Sequence, residues 1–391
     1  MQPTTRRPLL VVVSLSLLVG LVLALPVDPG DARGRRRVVK TTKIAPGLLF
    51  TRIVEKKIPR RTFVLKIDPS RPLTVDVTLA RDRLPARRPT SEIAARAGAL
   101  AAVNGDFSVP HVGRPVHPFA QDGDLVQTAD QQGPLFALRV NEQDVFLGKP
   151  ALRVTVTDRG TGRTWRLDRW NQGDPLPGEL AGFSPVGGTL ELPPEFACSA
   201  RLAPDGERHQ GKAGVVADFV VDAVRCSEEP MTRDGGIVLS AAPATDEAIE
   251  LLALTPGTPM RLRWSLGWRG VYDAVGGMPV LVQDGQIVAP NCATSFCRRN
   301  PRTAIGWTAK GRILLVVVDG RRPKRWSVGA SLGEMAKIMV KLGAVQALNL
   351  DGGGSSTMVV RDRVVNRPSD DRERSITNAV VVLPGPDPGE A

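Results

Sequence analysis

The chain has 391 residues, 42% of them hydrophobic and 24% charged, a globular composition that can bury a core in one large domain or two ordinary ones. Its 52 Lys and Arg outweigh 40 Asp and Glu, for a formal charge of +12. That excess suits anionic substrates or a solvated Arg-rich surface. Aromatics at 4% do not interleave with the basic clusters, so no stacking nucleic-acid partner is expected.

Arg6 and Arg7 precede an apolar run over residues 9–25, broken only by Ser14, Ser16 and Gly20 and followed by Pro26. A positive flank, an apolar stretch and a polar exit are the pattern of a secretory signal. The run of about seventeen residues also reaches the short edge of a membrane span. Residues 1–26 are therefore read as a signal peptide or N-terminal membrane anchor. Residues 27–45, rich in Pro, Gly, Asp and Arg, read as a linker. The remainder is expected outside the cytoplasm, secreted or held on the outer face of the cytoplasmic membrane. Contact with membrane would be through the N-terminal segment alone.

Residues 48–54, 62–67 and 73–79 carry strand patterns, the last alternating cleanly. Thr90-Ser91-Glu92 opens a helical pattern with Ile93, Ala94, Ala97 and Ala101 on one face and Thr90 or Ser91 as N-cap. Ala101-Ala102-Val103 then leads to Asn104-Gly105-Asp106 and an irregular loop. His111 and His117 lie in that loop and read as exposed, with an acid–base role as the alternative. Residues 152–157 and 164–167 pattern as a hairpin, 215–224 and 237–239 as strands, and 248–254 as a short helix.

Four cysteines in an exported chain suit disulfides. Local pairing gives Cys292–Cys297 and Cys198–Cys226, one of three connectivities. The spacing is not Cys-x-x-Cys and no His is near, which argues against a metal site.

Residues 312–318 form a near-continuous apolar run, as in a central strand, ending at Asp319-Gly320-Arg321. Ser331-Leu332-Gly333-Glu334 is a capping box. It opens a helix with Leu332, Met335, Ile338, Met339 and Leu342 inward and Gly343 at its end. Residues 345–350 pattern as the next strand. A strand–helix–strand unit predicts a parallel right-handed crossover, with Asp319, Arg321 and Asp351 side by side at the edge where α/β units bind ligands. Asp351 runs into Gly352-Gly353-Gly354-Ser355-Ser356. That stretch is either a Gly-rich hairpin turn or a place where a ligand approaches backbone. No Lys-Ser/Thr follows the glycines, so it is not a P-loop.

Asn104-Gly105-Asp106-Phe107, Val275-Gly276-Gly277, Asn300-Pro301-Arg302-Thr303-Ala304-Ile305-Gly306, Val318-Asp319-Gly320-Arg321, the Asp351 glycine run, and Val365-Asn366-Arg367-Pro368-Ser369-Asp370 with Arg374 beyond occur in this order. The ordered set resembles the phosphodiester glycosidase family. The resemblance implies a domain over residues 46–385, with 150–235 as a variable insertion and 386–391 as a tail. It implies an α+β fold: a mixed β-sheet catalytic domain with a βαβ unit near the C-terminus and a strand-rich central insertion. It also implies an exported hydrolase that cleaves the glycosidic bond of a sugar-1-phosphodiester, GlcNAc-1-phosphodiester-like, in a surface or extracellular glycan. A non-catalytic glycan-binding or cell-envelope module is the rival reading. A metal-dependent phosphodiesterase cleaving at phosphorus is the third.

In such a hydrolase phosphate is the leaving group, and a carboxylate must serve as nucleophile or as base for water. Asp351, Asp319 and Asp106 are the candidates. Arg302, Arg321 and Arg374 are the candidate phosphate ligands. Asn104, Gly105, Gly276, Gly277, Thr303, Gly352, Gly353, Gly354, Ser355, Ser356 and Asn366 complete the expected substrate site. No metal or cofactor is expected, with a divalent cation on the same carboxylates as the alternative. Without a nearby His or a Gly-x-Ser-x-Gly motif, a Ser nucleophile is not expected.

Overall fold

Ile313–Val318, ILLVVV, is buried at every position. Its alternate side chains serve two cores. Ile313, Leu315 and Val317 pack with Val75, Val77, Val103, Val380 and Val382. Leu314, Val316 and Val318 pack with Met335, Ala336 and Met339 of helix α3, Leu332–Lys341. A strand covered on both faces can be apolar throughout.

The computed structural model describes residues 37–385 except 110, 130–132, 141, 143, 186–196, 207–215, 228–230, 232–234 and 323–325. The N-terminal apolar run, His209 and the tail 386–391 lie outside the described residues. Among the described residues no helix is long and apolar enough to cross a membrane.

Ile313–Val318 belongs to an eight-stranded sheet in the order Arg37–Ala45, Leu48–Glu55, Arg60–Ile67, Ile313–Val318, Arg302–Thr308, Ala344–Asn349, Val280–Gln283 and Gln286–Ile287. Residues 37–45, expected in the linker, are thus its edge strand. The first seven of them are exposed, so no apolar periodicity marked them.

The capping box of α3 forms as expected: the Ser331 hydroxyl accepts from the Glu334 amide, and Glu334 accepts from the Ser331 amide. The crossover differs in one respect. Ile313–Val318 and Ala344–Asn349 run parallel, but Arg302–Thr308 lies between them, antiparallel to both. Asp319 and Asp351 are therefore one strand further apart than adjacency predicts, and the start of Arg302–Thr308 sits between their strand ends.

The glycine run is not a hairpin. Gly353–Ser355 is a 3-10 turn that carries the chain to Met358–Val360, in a different sheet. That five-stranded sheet has the order Arg363–Val364, Met358–Val360, Ala101–Asn104, Asn378–Pro384, Leu73–Leu79. Helix α1, Thr90–Arg96, packs on it. Its N-cap is Pro89, without a side-chain cap; Ser91 instead bonds Glu373 through its amide and hydroxyl. Ala101 falls in the following strand, outside the expected helix face.

A second five-stranded sheet, Asp124–Gln127, Phe119–Gln121, Asp273–Gly276, Leu135–Leu138, Val145–Gly148, backs the first core. The strands of the segment expected as an insertion belong to a second eight-stranded sheet drawn from residues 153–265, with helix α2, Asp246–Leu252. That sheet also includes Ile237–Ala241 and Pro259–Ser265. Both local disulfides form: Cys198–Cys226 joins facing residues of neighbouring strands, and Cys292–Cys297 closes a loop.

Candidate active site

Two parallel strand ends and one antiparallel strand start meet at one edge of the first sheet. Beside that edge lies a cleft of about 320 Å³ lined by Phe107, Ser295, Phe296, Asn300, Arg302, Arg321, Asp351, Gly352, Gly353 and Arg374. An equal cavity between α3 and Arg37, Glu55 and Arg60 contains none of the expected site residues.

Asp351 is partly open to the cleft. Its amide donates to the Gly105 carbonyl at 3.0 Å, and its own carbonyl accepts from Asn104 Nδ2 at 2.7 Å. Both bonds tie the glycine run to the strand end at Asn104. Burial pushes the Asp351 pKa up to about 6. Hydrogen bonds from Ser355 and the Gly352 amide, with the Arg374 charge, limit the rise, while Asp106 adds to it.

The three arginines differ. Arg302 is 2% exposed. Its Nε donates to the Ala330 carbonyl at 3.1 Å, and its Nη2 donates to the Phe296 and Arg298 carbonyls. It therefore fixes the disulfide loop that carries Phe296 while lining the cleft. Burial, with Arg321 nearby, lowers its pKa to about 10, which leaves it cationic at neutral pH. Arg321, in the left-handed region at φ 59°, donates to Asn300 Oδ1 at 3.4 Å. Arg374 pairs with Asp370 at 2.6 Å. A Cβ on Gly354 would lie 2.0 Å from Asp370 Oδ2 and 2.2 Å from Arg374 Nη2, so glycine there lets the ion pair lie against backbone.

Asp106 stands behind the cleft, fully buried. It accepts from the Phe107 amide, the His117 amide and His117 Nδ1, the last at 2.6 Å. Those bonds occupy both oxygens, so Asp106 anchors the loop. His117, expected exposed, is 1% exposed. Its ring fits because residue 276 is glycine: a Cβ there would lie 2.2 Å from His117 Cβ. His111 is exposed as expected.

Asn104 Oδ1 accepts from the Thr303 hydroxyl and the Thr357 amide. Asn104, Gly105, Thr303, Gly276, Gly277, Gly354, Ser355 and Ser356 thus form the support of the cleft rather than its lining. Asp319 and Asn366 are not brought to the cleft. Asp319 is 1% exposed and accepts from Trp326 Nε1, Asn366 Nδ2 and the Arg367 amide. Asn366 is spent on Asp319, the Ser356 carbonyl and the Met358 amide.

Sequence reasoning did not nominate Phe107, Asn300, Ser295, Phe296 or Asn378. Phe107 and Asn300 lie inside the quoted motifs, and Phe296 sits next to Cys297. Asn378 accepts from the Asp106 amide; its signal is a polar residue opening the buried run Asn378–Pro384. Among the described residues, the one group of three acids able to share an ion is Asp76, Asp122 and Asp273, none of which lines the cleft.

The cleft thus combines three arginines with one carboxylate of raised pKa on an α+β scaffold. A sequence profile described as phosphodiester glycosidase matches residues 209–383, and that stretch belongs to the family. Curated N-acetylglucosamine-1-phosphodiester alpha-N-acetylglucosaminidases are similar over 69 residues. The Bos taurus protein is 45% identical over 18% of this chain and 12% of its own length; the Homo sapiens protein is 45% identical over 18% and 13%. The matched stretch thus spans about an eighth of those relatives. A solved structure of a hypothetical Synechocystis protein has a TM-score of 0.72 at 20% identity, covering 88% of this chain and 63% of its own, and shows the fold. A Burkholderia pseudomallei K96243 structure, described as of an exported protein, has a TM-score of 0.62 at 26% identity, covering 83% and 74%. The two disulfides accord with a protein outside the cytoplasm.

Proposed function

We propose that the protein is an exported hydrolase that cleaves the glycosidic bond of a sugar-1-phosphodiester, with Asp351 as the reacting carboxylate. The observation that carries this reading is the meeting of Asp351, its pKa raised to about 6, with Arg302, Arg321 and Arg374 around one 320 Å³ cleft.

In the proposed reaction the C1–O bond to phosphate breaks, water adds to C1, and the phosphate monoester departs with the bonding electrons. Guanidinium groups stabilise charge developing on the departing phosphate. An already acidic leaving group lessens the need for the second, acid carboxyl of ordinary glycosidases. That agrees with a cleft lined by one carboxylate among the described residues. Asp351 then acts as nucleophile or as base for water, with Phe107 and Phe296, ring centroids 6.2 Å apart, offering an apolar wall to the sugar.

Incubation with UDP-GlcNAc and GlcNAc-1-phosphodiesters is expected to yield free GlcNAc, unaffected by chelator. Release of sugar phosphate, or abolition by chelator, points instead to cleavage at phosphorus. Substrate binding without turnover returns the protein to a glycan-binding role.

The glycine at 354 gives a second test. A Cβ there meets the ends of two flexible side chains, so Gly354→Ala shifts the Asp370–Arg374 pair rather than the backbone. KM is expected to rise about tenfold, the worth of one charge-assisted hydrogen bond, with the denaturation midpoint nearly unchanged. An unchanged KM removes Arg374 from phosphate binding.

A further inference from the structure

The outward face of the central sheet carries arginines that the catalytic cleft does not use. Strands Arg153–Asp158, Thr164–Leu167 and Pro259–Ser265 are neighbours, and each alternates. Val154, Val156, Leu167, Leu262 and Trp264 point into the core. Side chains of the other parity face solvent. In the register, Thr155 lies opposite Arg166 on one side and opposite Arg263 on the other. Arg153 is two residues along the same strand as Thr155, opposite Ser265. All three arginines are exposed.

With strands about 4.8 Å apart and same-face residues roughly 7 Å apart along a strand, the three guanidinium groups can converge above the Thr155 hydroxyl. Like charges gathered on one face repel one another, most at low salt, unless an anion neutralises them. None of the three forms an ion pair among the described residues. Of the nearby acids, Asp218 takes Arg261 in a two-pronged pair and Arg159, while Asp168 accepts from the Leu180 amide and pairs with none of the three. One cross-strand row further on, Thr157 and Thr164 share a hydrogen bond and Arg261 is neutralised by Asp218. The unbalanced charge is thus confined to one patch.

We propose that Arg153, Arg166 and Arg263, with Thr155 and Ser265, form a platform that holds a phosphodiester-linked glycan chain apart from the residue being cleaved. Guanidinium groups grip phosphate oxygens in two-pronged fashion, and the hydroxyls suit the intervening sugars. Among the described residues these three strands carry no aromatic on this face: Trp165 and Trp264 have core-facing parity. Stacked bases therefore have no partner there, which favours a glycan over a nucleic acid. The proposal takes the polymer's chemistry from the proposed function, but its test does not depend on turnover.

Full-length protein is titrated with a polysaccharide of GlcNAc-1-phosphodiester repeats. Dextran of matched length and a single-stranded oligonucleotide of matched charge serve as controls. The Arg153→Ala/Arg166→Ala/Arg263→Ala variant is expected to bind the phosphoglycan at least tenfold more weakly. Its kcat and KM on a small sugar-1-phosphodiester should equal wild type, while KM on the polymer rises. The corresponding triple Lys variant keeps the charge, guards against misfolding, and should retain part of the binding. The platform is overturned by phosphoglycan binding equal to wild type in the Ala variant, or by wild-type binding of dextran or oligonucleotide as tight as that of the phosphoglycan. If wild type turns over no small substrate yet the Ala variant loses phosphoglycan binding, the hydrolase reading fails and the platform stands.

Discussion

Asp351→Asn is expected to lower kcat on a sugar-1-phosphodiester by about 10²–10⁴-fold, the range for loss of a positioned base or nucleophile. The fold should not suffer. Burial raises the Asp351 pKa to about 6, so the folded protein binds more protons than the unfolded chain between the ordinary carboxylate value and that point. Stability attributable to this group therefore falls as pH rises through that window. Asparagine removes the penalty. At neutral pH the variant should be as stable as wild type or stabler, by at most about 3 kcal/mol on the worth of a pKa unit. The wild-type rate should rise with pH through about 6, as Asp351 ionises, and hold until the cationic groups titrate. Arg302, lowered to about 10, stays charged across that range. Kinetics over pH 4–9 and denaturant melts of both proteins check the pair of outcomes. Activity within tenfold of wild type assigns Asp351 to orientation rather than reaction.

The strand–helix–strand unit was legible because its signals are local. Six apolar residues in a row, a Ser-x-x-Glu box and a terminal glycine each report on their own neighbourhood. They placed Asp319 and Asp351 on one edge with the correct relative direction. They could not reveal Arg302–Thr308 between them, because strand order is a long-range pairing that neither periodicity nor capping encodes. That inserted strand is what brings Arg302 to the cleft. The hairpin alternative for the glycine run stayed open for a related reason. Strand patterns flanked it, but nothing local says that the second strand joins a different sheet. His117 and Asp106 lay in a loop without periodicity, so burial had no signature; the companion Gly276, which makes room for the ring, is 159 residues away. Asp319 looked equivalent to Asp351 because both precede glycine at a strand end. The difference lies in partners from Trp326, Asn366 and Arg367, which only the folded chain assembles.

Those partners make Asp319→Ala the largest expected loss of stability, about 3–5 kcal/mol, from several buried donors orphaned at roughly 1–3 kcal/mol each. The Trp326 indole held by Asp319 also lies under the Arg61 guanidinium, 3.6 Å from the ring centroid, with Arg367 at 5.6 Å. Losing the carboxylate therefore loosens the segments that carry Arg321 and Arg374 to the cleft. Burial raises the Asp319 pKa, against the hydrogen bonds from Asn366, Trp326 and the Arg367 amide and the Arg61 charge that lower it. The sign follows from that direction. Ionisation costs the folded state more than the unfolded one, so the group stabilises most below the ordinary carboxylate value and less as pH rises through its raised value. The stability gap between wild type and Asp319→Ala should therefore narrow as pH rises from acid to neutral. Denaturant midpoints at several pH values read it directly. Activity measured under conditions where the variant stays folded should show a raised KM with kcat reduced far less than in Asp351→Asn, since Asp319 acts on substrate only through Arg321 and Arg374. A collapse of kcat at unchanged KM in the folded variant places Asp319 in the chemistry and displaces Asp351 as the sole reacting carboxylate.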